Sequence, residues 1–226
     1  MEISNYKADL IELMAKSGVL MIGDFTTKSG RQSPYFINSG HYKTGEQAEK
    51  VSTYYAALIN EKLRGKFDVL FGPAYKGIPL CSLTAAALSR LYGINAGYCF
   101  NRKEAKDHGE GGMFVGWQPA DGQRFLIIED VISAGTSVRE VCPLLKAAAD
   151  VSVTDMVISV DRMEKGYNGL TATEEVKREF GITVHPLVTV VDLMEYLHGR
   201  EVGGKIYVTD EIRHKMEEYI AKYCAV

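Results

Sequence analysis

The chain has 226 residues, a net charge of −3, 46% hydrophobic and 24% charged residues, which fits one folded domain of a soluble intracellular protein and argues against a general nucleic-acid binder. No apolar run approaches the ~18 residues needed to span a bilayer, and the first residues lack a basic stretch followed by an apolar core, so the cytoplasm is the expected compartment. Cys81, Cys99, Cys142 and Cys224 are scattered without C-x-x-C spacing, which suggests neither a zinc site nor a disulfide framework and predicts buried free thiols.

Residues 5–16 carry Tyr6, Leu10, Ile11 and Met14 at helical spacing and are closed by Gly18, which predicts an N-terminal helix. Residues 25–41, rich in Gly, Ser and Thr around Pro34, read as irregular. Thr44 opens a T-x-x-Q capping box with Gln47, and Val51, Tyr55, Leu58 and Leu63 carry that helix to Gly65. A strand is predicted over 67–71, ending at Gly72-Pro73, then a helix over 78–91 that stops at Gly93, then a strand over 96–100. After a polar loop come residues 113–117, a strand over 125–128 with its helix over 137–149, a strand over 153–160, a helix near 173–180 and a last helix over 210–223. Strand and helix alternate, and no internal repeat, low-complexity tract or linker interrupts them.

The most informative segment runs from Phe125 to Ser137. Its four apolar residues suit a strand covered on both faces, as in parallel α/β sheets. Glu129 and Asp130 follow at the carboxyl end, where open α/β sheets bind ligands. Ser133, Ala134, Gly135, Thr136 and Ser137 are small enough to let backbone N–H groups approach an anion, and the next helix N-terminus favours a phosphate. A Walker loop is excluded because no Lys lies in 129–137, and G-x-G-x-x-G is absent. Two adjacent carboxyl groups ahead of a phosphate cradle are better placed for the vicinal hydroxyls of a ribose.

Three further segments carry chemistry. Residues 102–112 hold Arg102, Lys103, Lys106 and His108 among acids and glycines, with Ala105 the only apolar side chain. This describes either a mobile flap able to close over polyanionic oxygens or a solvated hairpin tip. Residues 28–38 combine Lys28 with Tyr35 and Phe36 around Pro34, where a flat heterocycle could stack. Residues 72–77 put Tyr75 and Lys76 at a strand end.

Residues 125–137 resemble the 5-phosphoribosyl 1-diphosphate (PRPP) motif of the type I phosphoribosyltransferases, and the four segments in this order resemble the orotate-using branch of that family along nearly the whole chain. The resemblance implies an α/β fold with a central, mostly parallel sheet flanked by helices, a small N-terminal hood and a mobile flap. It implies one domain over residues 1–226, with the hood formed mainly by residues 1–45 and later segments. The implied reaction is that of orotate and PRPP to orotidine 5'-monophosphate and pyrophosphate with Mg2+, in pyrimidine synthesis. The metal is expected mainly on PRPP oxygens and water, without a dedicated protein ligand set.

Position by position, the resemblance puts Lys28 on PRPP, Tyr75 and Lys76 beside the pyrophosphate, and Arg102, Lys103, Lys106 and His108 in the flap. Glu129 and Asp130 would hold the ribose hydroxyls, with Val131, Ile132 and the 133–137 cradle around the 5'-phosphate. Phe36 and Ile37 would lie against orotate, with Ser133 and Arg162 also contacting it. The implied catalytic groups are Lys103, Lys106, His108, Glu129 and Asp130. A flap that reaches a neighbouring subunit implies a homodimer. Glu129, Ser133, Ile37 and Lys165 stand where Asp, Thr, a second aromatic residue and Arg are frequent. A purine-using relative would share 125–137, but 28–38, 102–112 and Arg162 favour a carboxylate-bearing base. A non-catalytic PRPP sensor would normally add a nucleic-acid-binding element, and the sequence carries neither a helix-turn-helix extension nor a basic stripe.

Overall fold

Short, continuous apolar runs cannot remain half-exposed, and in the computed structural model they form the middle of a six-stranded sheet. The structure describes residues 6–27, 30–106, 112–132, 135–166 and 169–225, the side chains of 105 and 106 excepted. The sheet strands are β3 (Val69–Gly72), β4 (Gly97–Lys106), β5 (Gly112–Gly116), β6 (Arg124–Ile132), β7 (Ser152–Asp161) and β8 (Thr183–Thr189). Their order is β5-β4-β3-β6-β7-β8, parallel throughout except for the antiparallel β4–β5 pair.

Side chains alternate between the two faces of each strand and feed two cores. Leu70, Leu126, Ile128 and Val157 pack with α1 (Tyr6–Ser17), α2 (Gly45–Lys62), α3 (Gly77–Tyr92), α6 (Val190–Leu197) and α7 (Asp210–Tyr223). Val69, Phe71, Phe125, Ile127 and Met156 pack with α4 (Thr136–Ala148) and α5 (Ala172–Phe180). The capping box of α2 forms as predicted, with Thr44 accepting from the Gln47 N–H. All four cysteines are free and buried. Among the described residues no helix is long and apolar enough to cross a membrane.

Several elements differ from the sequence reading. Residues 25–41 are not irregular: β1 (Leu20–Thr26) and β2 (Gln32–Ile37) pair as an antiparallel hairpin, followed by a 3-10 turn at Ser39–His41. A two-stranded ribbon is all edge, so Pro34 costs it no interior hydrogen bond. Strand β8 and helix α6 were not predicted, because residues 182–197 cross from strand to helix at Thr189 without a Gly or Asn to mark the change. Pro186 fits there because β8 is a sheet edge.

Strand β6 reaches Ile132, so Glu129 and Asp130 lie within its last turns, and Thr136 and Ser137 open α4 instead of ending the loop. The segment after residue 100 is not wholly a loop. Pairing of β4 with β3 ends at Phe100, but β4 runs on to Lys106, whose register partner is Gly112. The result is a β arm extending past the sheet.

Candidate active site

Three adjacent parallel strands end at the same edge of the sheet, and each delivers part of the site. After β3, Gly72 and Gly77 allow a tight turn into α3. A Cβ on Gly77 would come within 2.9 Å of the Ile128 carbonyl oxygen, so α3 can lie against β6 only without one. The turn holds Tyr75, which is 70% exposed, and Lys76. It is anchored from β4, where Oδ1 of Asn101 accepts from the Ala74 N–H at 3.0 Å.

Strand β6 delivers the acidic pair. Glu129 is 8% exposed and Asp130 5%. From α2, the buried Tyr55 hydroxyl donates to the Glu129 carbonyl oxygen at 2.7 Å and fixes the strand end. Oε1 of Glu129 accepts from the Asp130 N–H at 3.1 Å, while Oδ1 of Asp130 accepts from the Val131 N–H at 2.8 Å. Oδ2 of Asp130 receives the Ser39 hydroxyl at 2.6 Å and lies 3.4 Å from Nζ of Lys76, which also reaches Oδ1 of Asn38 at 3.3 Å. Burial, then the neighbouring Asp130 charge, pushes the Glu129 carboxyl up to about 8. Glu129 therefore holds its proton more readily than an exposed carboxyl would.

Beyond β6, Gly135 takes the left-handed conformation (φ 65°) and caps α4 without a side chain. A Cβ there would meet Cγ2 of Val176 at 2.8 Å. Ala74, Tyr75, Lys76, Glu129, Asp130, Val131, Ile132, Gly135, Thr136 and Ser137 line one cavity of about 310 Å³. The structure thus gathers every described residue of the sequence-predicted ribose and phosphate set except those of the flap. A cation, two carboxyl groups and a helix N-terminus around this volume can hold a sugar bearing phosphates at both ends.

Strand β7 delivers Arg162, immediately after the register pair Ile132↔Asp161. It is 8% exposed, and its guanidinium lies over the Tyr35 ring at 4.6 Å. Its Nε donates to Oε1 of Glu164 at 2.7 Å. Met163, at φ 55°, folds the chain so that residues 162 and 164 can meet. Tyr219 of α7 also donates to Oε1 of Glu164, at 2.7 Å. Burial, then that hydrogen bond, pushes the Tyr219 phenol up to about 12, which keeps it a donor.

The hairpin residues Phe36 and Ile37 present their side chains to different surroundings. Adjacent strand residues face opposite ways, so Phe36 pairs with Phe25 at 5.6 Å between ring centroids while the Ile37 side chain is buried in the core. In the arm, Nη1 of Arg102 donates to the Gly112 carbonyl oxygen at 3.0 Å, and Lys103 lies 3.5 Å from Glu140 of α4. Lys28, His108, Ser133, Ala134 and the Lys106 side chain lie outside the described residues.

Ser39, Asn101, Tyr55, Glu164 and Tyr219 were not singled out for the site. Glu164 carried a signal, two residues after Arg162; the others are brought in only by tertiary approach. Among the described residues no group of three or more His, Cys, Asp or Glu could hold a metal ion. The two carboxyl groups at the cavity fit a hard cation such as Mg2+ that takes most of its shell from phosphate oxygens and water.

A model of the phosphoribosyl transferase domain family matches residues 38–179. The orotate phosphoribosyltransferase of Clostridium acetobutylicum is 48% identical over 221 residues, covering 98% of this chain and 99% of that protein. The crystal structure of orotate phosphoribosyltransferase from Francisella tularensis superposes with a TM-score of 0.81 at 36% identity, covering 96% of this chain and 100% of that one. The Mycobacterium tuberculosis enzyme in complex with PRPP shares the fold, with a TM-score of 0.62 at 19% identity over 83% of this chain and 98% of that one. Strand order, the site at the carboxyl edge and near-full-length identity converge: the chain belongs to the orotate phosphoribosyltransferases, enzymes of pentosyl transfer.

Proposed function

We propose that the protein transfers the 5-phosphoribosyl group of PRPP to orotate, giving orotidine 5'-monophosphate and pyrophosphate, with Mg2+ and in the cytoplasm. The observation that carries this reading is the single cavity in which Lys76, the Glu129–Asp130 pair and the N-terminus of α4 converge. The adjoining strand end presents a buried guanidinium suited to a carboxylate-bearing base.

At the anomeric carbon the bond to the pyrophosphate oxygen breaks and the bond to the base nitrogen forms, and that nitrogen gives up its proton to solvent. By analogy with glycoside cleavage, the transition state has oxocarbenium character, and negative charge grows on the leaving group. Asp130 and Glu129 hold the ribose hydroxyls, and the amides at Gly135, Thr136 and Ser137 hold the 5'-phosphate. Lys76 faces the pyrophosphate. Bound Mg2+ supplies charge neutralisation on the phosphate oxygens. Lys28 reaches PRPP from the hairpin, and Lys103, Lys106 and His108 close over the pyrophosphate and exclude water, with Lys106 or His108 protonating it as it leaves. The arm serves the site of a second copy in a homodimer, and the whole chain works as one domain under its N-terminal hairpin.

The test is orotate consumption, followed by ultraviolet absorbance, with purified protein, PRPP and Mg2+, and with adenine, hypoxanthine and uracil in parallel. Orotate loss that needs both PRPP and Mg2+ is the expected outcome. Turnover of another base instead of orotate would overturn the assignment of Arg162 and the hairpin.

A further inference from the structure

Four donors from three parts of the chain converge on one carboxylate, that of Glu164, whose side chain is 12% exposed. Oε1 accepts from Nε of Arg162 at 2.7 Å, lies 2.6 Å from its Nη2, and accepts from the Tyr219 hydroxyl at 2.7 Å. Oε2 accepts from Nη1 of Arg31 at 3.4 Å. Arg31 is pinned in turn, with Nη2 donating to the Lys165 carbonyl oxygen at 2.7 Å and its guanidinium 5.0 Å from the Tyr223 ring centroid. Glu164 therefore joins the turn of the hairpin, the loop after β7 and the last helix.

Two properties of this cluster bear on the substrate. Glu164 occupies the Nε/Nη2 edge of Arg162, and among the described residues Nη1 meets no acceptor. The two guanidiniums share the Glu164 carboxylate, while the nearby Asp161 carboxyl accepts from the Met163 N–H at 2.7 Å and makes no bond to Arg162. A carboxylate on the base would meet the donor that Arg162 keeps.

We propose that Glu164 is a positioning residue for base selectivity: it locks one edge of Arg162 so that the other edge meets the carboxylate of the incoming base. This rests on the reading that the base is orotate. A side chain acting only in packing would, when changed, disturb both substrates, whereas a residue that aims Arg162 disturbs the base alone.

The experiment measures KM for orotate and for PRPP, and the preference for orotate over uracil, in the wild type, Glu164→Gln, Glu164→Asp and Tyr219→Phe. Glu164→Gln is expected to raise KM for orotate by roughly tenfold or more, the scale of a lost charge-assisted hydrogen bond, and to narrow the preference over uracil. KM for PRPP should stay within about twofold, because the cavity of Lys76 and Asp130 is untouched. Tyr219→Phe should move the orotate value in the same direction by less. If Glu164→Gln does not fold, Glu164→Asp carries the test, since it keeps the charge but withdraws the oxygen from Arg162. An unchanged orotate KM in the folded Glu164 variant, or equal changes for both substrates, would overturn the role of Glu164. Wild-type protein that does not use orotate would overturn the substrate reading itself, and the inference with it.

Discussion

The Ser39 hydroxyl donates a 2.6 Å hydrogen bond to Oδ2 of Asp130, which joins the turn after the N-terminal hairpin to the acidic pair at the end of β6. The two residues are 91 positions apart, so the contact fastens one substrate's expected wall to the other's. A hydrogen bond to a charged acceptor contributes about 1.5–3 kcal/mol. Ser39→Ala should therefore lower the melting temperature of the unliganded protein by roughly 3–12 °C for a chain of this size. Calorimetry tests this, and an unchanged transition would mean that Lys76 and the Val131 N–H suffice to hold Asp130.

The raised carboxyl of Glu129 gives stability a pH dependence of definite sign. Its ordinary value is 4.5 and its folded value about 8, so between these limits the native state keeps a proton that the unfolded chain has lost. Its contribution is fully present below about pH 4.5 and is lost as pH rises through 8. In urea unfolding at pH 5, 6, 7 and 8, the wild type should lose stability relative to Glu129→Gln as pH rises. Parallel curves for the two proteins would show that Glu129 titrates normally.

Arg162→Lys keeps the charge but removes the planar fork that stacks on Tyr35 and bonds Glu164. The expected loss is about 2–3 kcal/mol, or roughly 30- to 160-fold in kcat/KM for orotate. Steady-state kinetics check it, and retention of wild-type kcat/KM would remove Arg162 from the base site.

Gly135→Ala places a side chain where φ is 65° and where Cγ2 of Val176 already stands 2.8 Å from the added carbon. Left-handed strain and the clash should cost about 1–3 kcal/mol in urea unfolding and raise KM for PRPP through a displaced α4 N-terminus. A stability loss with unchanged KM would separate the turn from phosphate binding.

The parts of this molecule legible in the sequence are those specified locally. The Thr44–Gln47 box, the apolar stripe of α2 and the four-residue run before Glu129 each carry their signal within a few residues, and each element forms where the pattern lies. The hairpin was hidden because residues 25–41, rich in Gly, Ser and Thr around Pro34, read as irregular, although a two-stranded ribbon tolerates a proline. Helix α6 was hidden because β8 passes into it directly at Thr189, whose capping box with Asp192 was the local signal that went unread. The cavity residues were legible because strand ends in α/β sheets collect ligands. The Ser39–Asp130 and Tyr219–Glu164 bonds were not, because partners 91 and 55 residues apart leave no periodicity to read.

Strand β6 lies between β3 and β7, feeds both cores with alternate side chains, and ends in the two carboxyl groups of the cavity. Scaffold and chemistry therefore share one short stretch of backbone, and a change at Phe125, Leu126, Ile127 or Ile128 disturbs folding and turnover together. Under selection, those positions have little room for neutral drift, whereas the exposed arm residues Lys103 and Glu104 can change without loosening a core. On such a scaffold a new side chain in the loops or the hairpin alters what is bound while the sheet that holds it stays as it was.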